Sequence, residues 1–321
     1  MKIYFLTEYS KNIGFGHLSR CSSLADAFTE AGYDVTFFIR EWENEELKLD
    51  HKKEKVEWIN IEHLRNLISS EDIIVFDTYR VSKNDLDLIA SEYKHIVSIA
   101  DSNLNYASRG VVALGSIYGK ELNLSSGSIT FLAGPEYLLF RKIFWDLPKR
   151  EIKENVQQIL ISLGGHINKE VLEIAISSLS LCFSKSKVKV LGNSEIETSG
   201  NVEFMGFLDP SDLIKEYQQA DLVITNGGQT LNEVILLGIP AIGVVVANNQ
   251  ERNVQAWNKL GVLQKNLQAN SGDFQGNLEE VLGEIKKFER RIEITTKGNT
   301  LIDSRGARRV VEHIGKSWIK N

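Results

Sequence analysis

His17 stands in Ile13-Gly14-Phe15-Gly16-His17-Leu18-Ser19-Arg20-Cys21, shortly after the apolar run Ile3–Thr7. The pattern is that of a strand turning into a helix, with a histidine at the turn. Gly14 and Gly16 let the backbone pass close to a ligand, and the helix that follows aims unpaired N–H groups at any phosphate docked there. An imidazole in that position is a candidate general base. The same residue could instead fill a first helical turn, so the pattern needs support from elsewhere in the chain.

A second constellation lies in Ala220-Asp221-Leu222-Val223-Ile224-Thr225-Asn226-Gly227-Gly228-Gln229-Thr230-Leu231-Asn232-Glu233. It reads as a buried strand, a Gly-Gly turn and a helix. Gly227 and Gly228 allow a close backbone approach, and the amides of Gln229 and Thr230 at the helix start can take a diphosphate. Glu233, one turn in, can accept both hydroxyls of a ribose, or can simply be an acid that favours an early helical turn. After the next strand, Asn249 and Gln250 offer uncharged donors and acceptors suited to a sugar or a uracil ring, and a helix cap would use the same residues.

Parallel strands must carry both turns. Ile3–Thr7, Val35–Ile39, Ile73–Phe76 and Ile96–Ile99 are apolar runs of strand length, separated by helical spacing in Leu18–Ala31 and Leu86–Tyr93. The cycle starts again with Ile159–Leu163, Val188–Leu191, Val202–Phe204, Leu222–Thr225 and Ala241–Val246, interleaved with Val171–Leu181 and Leu231–Leu237. Two α/β halves of doubly wound type follow, with a ligand cleft expected between them. Phe144-Trp145-Asp146-Leu147-Pro148-Lys149-Arg150 breaks the periodicity, which predicts domains of residues 1–147 and 148–321. A last helical pattern, Arg308–Lys320, could pack on either half.

The chain has 321 residues, 42% of them hydrophobic and 25% charged, as in ordinary globular proteins of two domains. Lys and Arg number 37 against 43 Asp and Glu, so the basic excess of a nucleic-acid binder is missing. No apolar stretch has the length of a signal core or a membrane span, which makes the cytoplasm the expected location. Cys21 and Cys182 are the only cysteines, without metal-ligand spacing, and are expected to be buried as small apolar residues. His51, His63, His95 and His313 sit in charged or helical surroundings and are given no chemistry. Nothing in the chain speaks to oligomeric state.

Seven motifs occur in order: Gly14-x-Gly16-His17-x-x-Arg20, Asp77-Thr78-Tyr79, Gly134-Pro135-x-Tyr137-x-x-x-Arg141-x-x-Phe144, Gly164-Gly165, Gly227-Gly228-x-Thr230-x-x-Glu233, Asn249-Gln250 and Asp303-x-x-Gly306-x-x-Arg309. As a set, over nearly the whole chain, they resemble the UDP-2,4-diacetamido-2,4,6-trideoxy-altropyranose hydrolases of pseudaminic acid biosynthesis and the related spore-coat polysaccharide proteins. The resemblance implies a GT-B-like fold of two Rossmann-like domains, similar to the lipid II–forming N-acetylglucosaminyltransferase. It implies that UDP lies on the C-terminal domain and that His17 activates the water attacking the anomeric carbon, with no metal and no cofactor. It also carries over Arg20, Asp77, Tyr79, Tyr137, Arg141 and Gly165 as substrate-side residues. Tyr79 could equally be a half-buried aromatic at a strand end.

The chain departs from the family at three places. Two adjacent aspartates are usual where it has Ile99-Ala100-Asp101-Ser102; Gly-Gly-x-Asp is usual where it has Gly164-Gly165-His166-Ile167-Asn168; and Ser304 stands for a glycine in the tail motif. These changes bear on the sugar more than on UDP. A transferase of the same fold, its base acting on an acceptor hydroxyl, is the alternative to hydrolysis. A non-catalytic sugar-nucleotide binder is the third class.

Overall fold

The computed structural model describes residues 1–9, 16–42, 47, 49–101, 105–124, 127–164, 168–192, 196 and 200–318. The chain forms two compact units, one of Met1–Trp145 with Ser304–Asn321 and one of Asp146–Asp303.

Unit 1 runs β1 (Ile3–Glu8), α1 (Gly16–Glu30), β2 (Val35–Arg40), β3 (Lys52–Lys55), α2 (Ile61–Leu67), β4 (Ile73–Asp77), α3 (Lys83–Glu92), β5 (His95–Ile99), β6 (Gly110–Leu114) and β7 (Ile129–Ala133). Among the described residues these strands make a parallel sheet in the order β3-β2-β1-β4-β5-β6-β7. Every residue of β1 and β4 is buried, as continuous apolar strands covered on both faces require. Their register sets Thr7 beside Asp77, and the Thr7 hydroxyl donates to the Asp77 carbonyl at 2.9 Å. The chain winds outward in opposite directions from this pair, which makes the carboxyl ends of β1 and β4 the switch point where open α/β sheets take ligands.

Unit 2 runs β8 (Gln158–Ser162), α4 (Lys169–Cys182), β9 (Lys187–Val190), β10 (Val202–Phe204), α5 (Pro210–Gln219), β11 (Leu222–Asn226), α6 (Gln229–Leu236), β12 (Ala241–Val245), α7 (Glu251–Lys259), β13 (Leu267–Gln268), α8 (Phe274–Ile285) and α9 (Phe288–Leu301). Its parallel sheet has the order β10-β9-β8-β11-β12-β13 among the described residues, with β8 and β11 at the switch point. Asn168 caps α4 through the amides of Glu170 and Val171, and Asp209 caps α5 ahead of Pro210. The buried Arg291 guanidinium donates to the carbonyls of Ile285, Lys286, Lys153 and Glu154, tying α9 to the segment that leads into β8.

The chain then contributes α10 (Gly306–Trp318) to unit 1. Its stripe of Ala307, Val310, Val311 and Ile314 is buried, and it packs on α1 and on the turn at Pro135–Tyr137. Gly306 lies so close to the Leu138 backbone that a Cβ would run into the Leu138 carbonyl. Arg309 donates to the Glu136 carbonyl at 3.0 Å, while Arg308 pairs with Glu30 and lies over the Trp145 ring at 4.6 Å.

Apolar periodicity marks β1, β2, β4 and β5 in unit 1 but not β3, which is Lys-Lys-Glu-Lys. As an edge strand paired on one side only, β3 has no need of apolar residues. β6 and β7 likewise extend the sheet past the four runs seen in the sequence. His95 lies in β5, buried against the Trp318 ring of α10 at 4.9 Å, with Lys94, Glu71 and Arg109 as charged neighbours. Cys21 is buried, but Cys182, near the open end of α4, is partly exposed. No helix among the described residues is long and apolar enough to cross a membrane.

Candidate functional site

In unit 1 the first turns of α1 converge on one carboxylate. His17, 2% exposed, approaches Asp77 with Nδ1 2.5 Å from Oδ1. Arg20, three residues on and hence on the same helix face, donates from Nε to Oδ2 and from Nη2 to Oδ1, each at 2.5 Å. The Cys21 thiol donates to Oδ2 at 3.4 Å.

Asp77 is itself only 1% exposed. Burial by itself would raise its pKa, but the Arg20 charge and the hydrogen bonds from Arg20 and His17 outweigh that and hold the carboxyl below its usual range. Burial likewise opposes the Arg20 charge, yet Asp77 and Asp101 hold the guanidinium well above its ordinary value. Burial and the Asp77 charge push the Cys21 thiol well up.

A carboxylate can only accept, so the Nδ1 contact assigns the ring proton to Nδ1. Arg20 Nη2, 3.1 Å from Nδ1, then faces it donor to donor and makes no bond there. Nε2 is left as the acceptor, buried and without a hydrogen-bond partner among the described residues. A buried, unsatisfied, lone-pair-bearing nitrogen with its far side locked by a carboxylate has the layout of an oriented base.

Tyr79 closes the other side of the imidazole, edge-on with ring centroids 4.2 Å apart, and is 43% exposed. Its hydroxyl donates to Asp101 and accepts from Arg20 Nη1 at 3.1 Å, and Nη1 also reaches Asp101. Burial first, then Asp101, raises the Tyr79 hydroxyl pKa, in keeping with a hydroxyl that donates its proton to Asp101. Glu8, the buried last residue of β1, accepts from the Thr78 hydroxyl at 2.7 Å and from the amides of Tyr79 and Arg80 at 3.0 and 3.3 Å, which fixes the loop carrying Tyr79.

Unit 2 builds its switch point from backbone. β11 ends in Asn226, whose Oδ1 accepts from the Gly228 amide at 2.9 Å and so shapes the turn into α6. Gly227 is pressed against α7, where a Cβ would collide with Val254 Cγ2. Asn253 donates to the Gly227 carbonyl at 2.8 Å and to Asn232 Oδ1 at 3.3 Å, and Trp257 Nε1 donates to the same oxygen at 2.8 Å. The turn is thereby held from behind, with Gly228 and the exposed Gln229 opening α6. Thr230 is partly exposed, while Glu233 is only 3% exposed. Asn249 is exposed, and Gln250 turns its Oε1 to the Val246 amide at 3.0 Å, capping the end of β12.

His17, Arg20, Asp77 and Tyr79 are therefore brought together, and Gly16 opens α1 with no atom within 4 Å of where its Cβ would be. Gly14, Gly165 and His166 lie outside the described residues. Asp77, expected to contact substrate, instead turns its oxygens to His17, Arg20 and Cys21. Tyr137 and Arg141 stand on the segment that receives α10, where the Arg141 guanidinium lies 4.9 Å over Phe144. Sequence reasoning passes over Glu8, Asn226 and Asn253, and meets Asp101 only as a departure from the family pattern. The Arg20–Asp101 pair leaves no spacing signal, since 81 residues separate its members.

Residues 140–310 match the model of the glycosyltransferase family 28 C-terminal domain. The chain is 24% identical over 266 residues to the UDP-2,4-diacetamido-2,4,6-trideoxy-beta-L-altropyranose hydrolase of Campylobacter jejuni, covering 78% of this chain and 94% of that one. It is 21% identical over 294 residues to the pseudaminic acid cytidylyltransferase and UDP-2,4-diacetamido-2,4,6-trideoxy-beta-L-altropyranose hydrolase of Helicobacter pylori, covering 86% of this chain and 50% of the relative. The chain thus spans about half the length of some of the curated relatives it matches. Among solved structures, MurG of Acinetobacter baumannii superposes with a TM-score of 0.70 at 15% identity, covering 98% of this chain and 100% of that one. The fold is α/β of the GT-B type.

Proposed function

Because the chain belongs to the family of the glycosyltransferase family 28 C-terminal domain, we propose that it hydrolyses a UDP-activated diacetamido-trideoxyhexose, or a similar UDP-sugar, to UDP and free sugar, in nonulosonic acid or surface polysaccharide biosynthesis. The observation that carries the proposal is the His17–Asp77 pair with Nε2 unpartnered. In this reading Nε2 takes a proton from water as the water oxygen bonds to the anomeric carbon. The bond from that carbon to the diphosphate oxygen breaks, and its electron pair leaves with UDP. The α6 amides behind Gly227 and Gly228 receive the charge that gathers on the diphosphate, with Gln229, Thr230 and Glu233 on the nucleotide and Asn249 and Gln250 beside it. Gly16 and Tyr79 border the sugar. Asp77 and Arg20 act behind the imidazole, and the activity is placed in the cytoplasm.

Transfer is the second reading, favoured by the family's name and the likeness to MurG: an acceptor hydroxyl takes the place of water at the same base. The two separate in one assay. Purified chain is incubated with UDP-activated diacetamido-trideoxyhexoses and UDP release is followed, with His17→Ala alongside. Hydrolysis predicts release without any acceptor and a fall of about 10²–10⁴-fold in the Ala variant, the usual worth of a general base. Release only on adding an acceptor establishes transfer, and tight UDP binding with no turnover of any donor establishes a binding protein.

A further inference from the structure

Unit 1 has a pocket of about 500 Å³ on the edge of its sheet opposite to His17. The strands are parallel, so Lys94 ahead of β5, Arg109 ahead of β6 and Ser128 ahead of β7 all stand at the amino edge, whereas Asp77 with His17 stands at the carboxyl edge. That amino edge, with Thr130 of β7, makes one wall. The other is α10, where His313 and Ser317, four residues apart, share a face and Trp318 follows. The volume falls in the range of sites that take small organic ligands.

The lining is cationic and hydroxylated. Arg109 donates from Nη1 to the Ala90 carbonyl and from Nη2 to the Lys94 carbonyl, each at 3.2 Å, which orients the guanidinium and leaves its charge in place. Lys94 meets Glu71 at 3.2 Å, but both side chains are largely exposed, so water screens the pair and an arriving anion can share the ammonium. The two cations are felt next door. His95, buried beside Lys94 and against the Trp318 ring, has its pKa lowered first by burial and then by Lys94 and Arg109, with Glu71 pulling the other way. An anionic group suits Arg109, Lys94 and the His313 imidazole, which has an N–H to donate in either charge state. Ser128, Thr130 and Ser317 offer hydroxyls that donate to or accept from those of a sugar, and the partly exposed Trp318 indole gives such a ring an apolar face to lie on.

We propose that this pocket is a binding site for a hydroxylated small anion of sugar size, a sugar acid or a sugar phosphate, separate from the site around His17. It is independent of the hydrolase reading, because neither His17 Nε2 nor the α6 turn takes part in it. The ligand bridges α10 to the amino edge of the sheet, and α10 is the helix that packs on α1. Occupancy therefore stabilises unit 1 by mass action.

The test uses the full chain and calorimetry with four probes: glucuronate, glucose 6-phosphate, inorganic phosphate and glucose. At least one of the two sugar anions is expected to bind at a single site, glucuronate naming a carboxylate ligand and glucose 6-phosphate a phosphate ligand. Glucose lacks the charge and should not bind; inorganic phosphate lacks the ring and should bind at least about tenfold more weakly. Arg109→Gln and His313→Gln should each lower the affinity about tenfold, the usual worth of a hydrogen bond to a charged group. Lys316→Gln, which removes a charge from α10 outside the pocket, should leave it unchanged. Hydrogen exchange in the bound chain should slow in α10 and at the start of β5 and β6, and stay the same in β11 and α6. No binding of either sugar anion at millimolar concentration overturns the proposal, as does full affinity in a folded Arg109→Gln variant or an equal loss from Lys316→Gln. Inorganic phosphate binding as tightly as the sugar anions overturns it as well. So does an anion that is lost with His17→Ala and kept with Arg109→Gln, since that anion sits at the carboxyl edge.

Discussion

β4 of unit 1 ends in Asp77, and β11, which holds the equivalent place in unit 2, ends in Asn226 followed by Gly227 and Gly228. Both strands lie beside the first strand of their sheet, and both feed a loop at the carboxyl edge. In unit 1 the first turns of α1 bring His17, Arg20 and Cys21 onto the buried carboxylate. In unit 2, Asn226, Asn253 and neighbouring apolar residues hold bare backbone in place. One switch-point geometry thus supports a buried charge cluster in one unit and a turn of bare backbone amides in the other. The topology chooses the location, and the residue ending the central strand chooses the chemistry.

The largest separation between the units is expected from Asp77→Asn. It removes the buried charge that Arg20 faces, at a cost of about 3–5 kcal/mol. Hydrogen exchange should speed up in β4 and α1 and stay slow in β11 and α6; equal loosening of both units would erase the distinction. Gly227→Ala comes next and acts in the other unit. Its Cβ must displace Val254, for about 1–3 kcal/mol of overpacking, so UDP affinity measured by calorimetry should fall while β4 and α1 keep their protection. Unchanged affinity would remove the turn from the nucleotide site.

The smallest effect is one of pH on the unmodified chain. Asp77 is held below the usual carboxylate range in the folded state, so its stabilisation is complete above about pH 4, the ordinary value, and is lost as pH falls through the lowered one. Asn226, Gly227 and Gly228 do not titrate. Acid should therefore loosen the amides of β4 and α1 before those of β11 and α6, and the reverse order would show that the charge cluster is not what holds α1 down.

The apolar runs of β1, β2, β4 and β5 are plain in the sequence because strands covered on both faces leave no room for polar alternation. β3 escapes notice for the opposite reason. His17 is visible because glycines and a helix start flag its turn, whereas Glu8 looks like the end of an apolar run although its carboxylate organises the loop after β4. Asp101 accepts hydrogen bonds from partners 22 and 81 residues away, a relation that only folding reveals. Tyr137 and Arg141 belong to a motif whose residues, once folded, also receive α10, so spacing alone could not separate ligand contact from packing.

Gly306, set against the Leu138 carbonyl, has a consequence for the order in which the protein is made. Synthesis delivers every strand of unit 2 before α10, so unit 2 can close its sheet while unit 1 still lacks a helix. Until Val310, Val311 and Ile314 arrive, α1 is without part of its packing, and α1 is the helix that carries His17, Arg20 and Cys21. The half that carries the His17–Asp77 pair is encoded first and completed last.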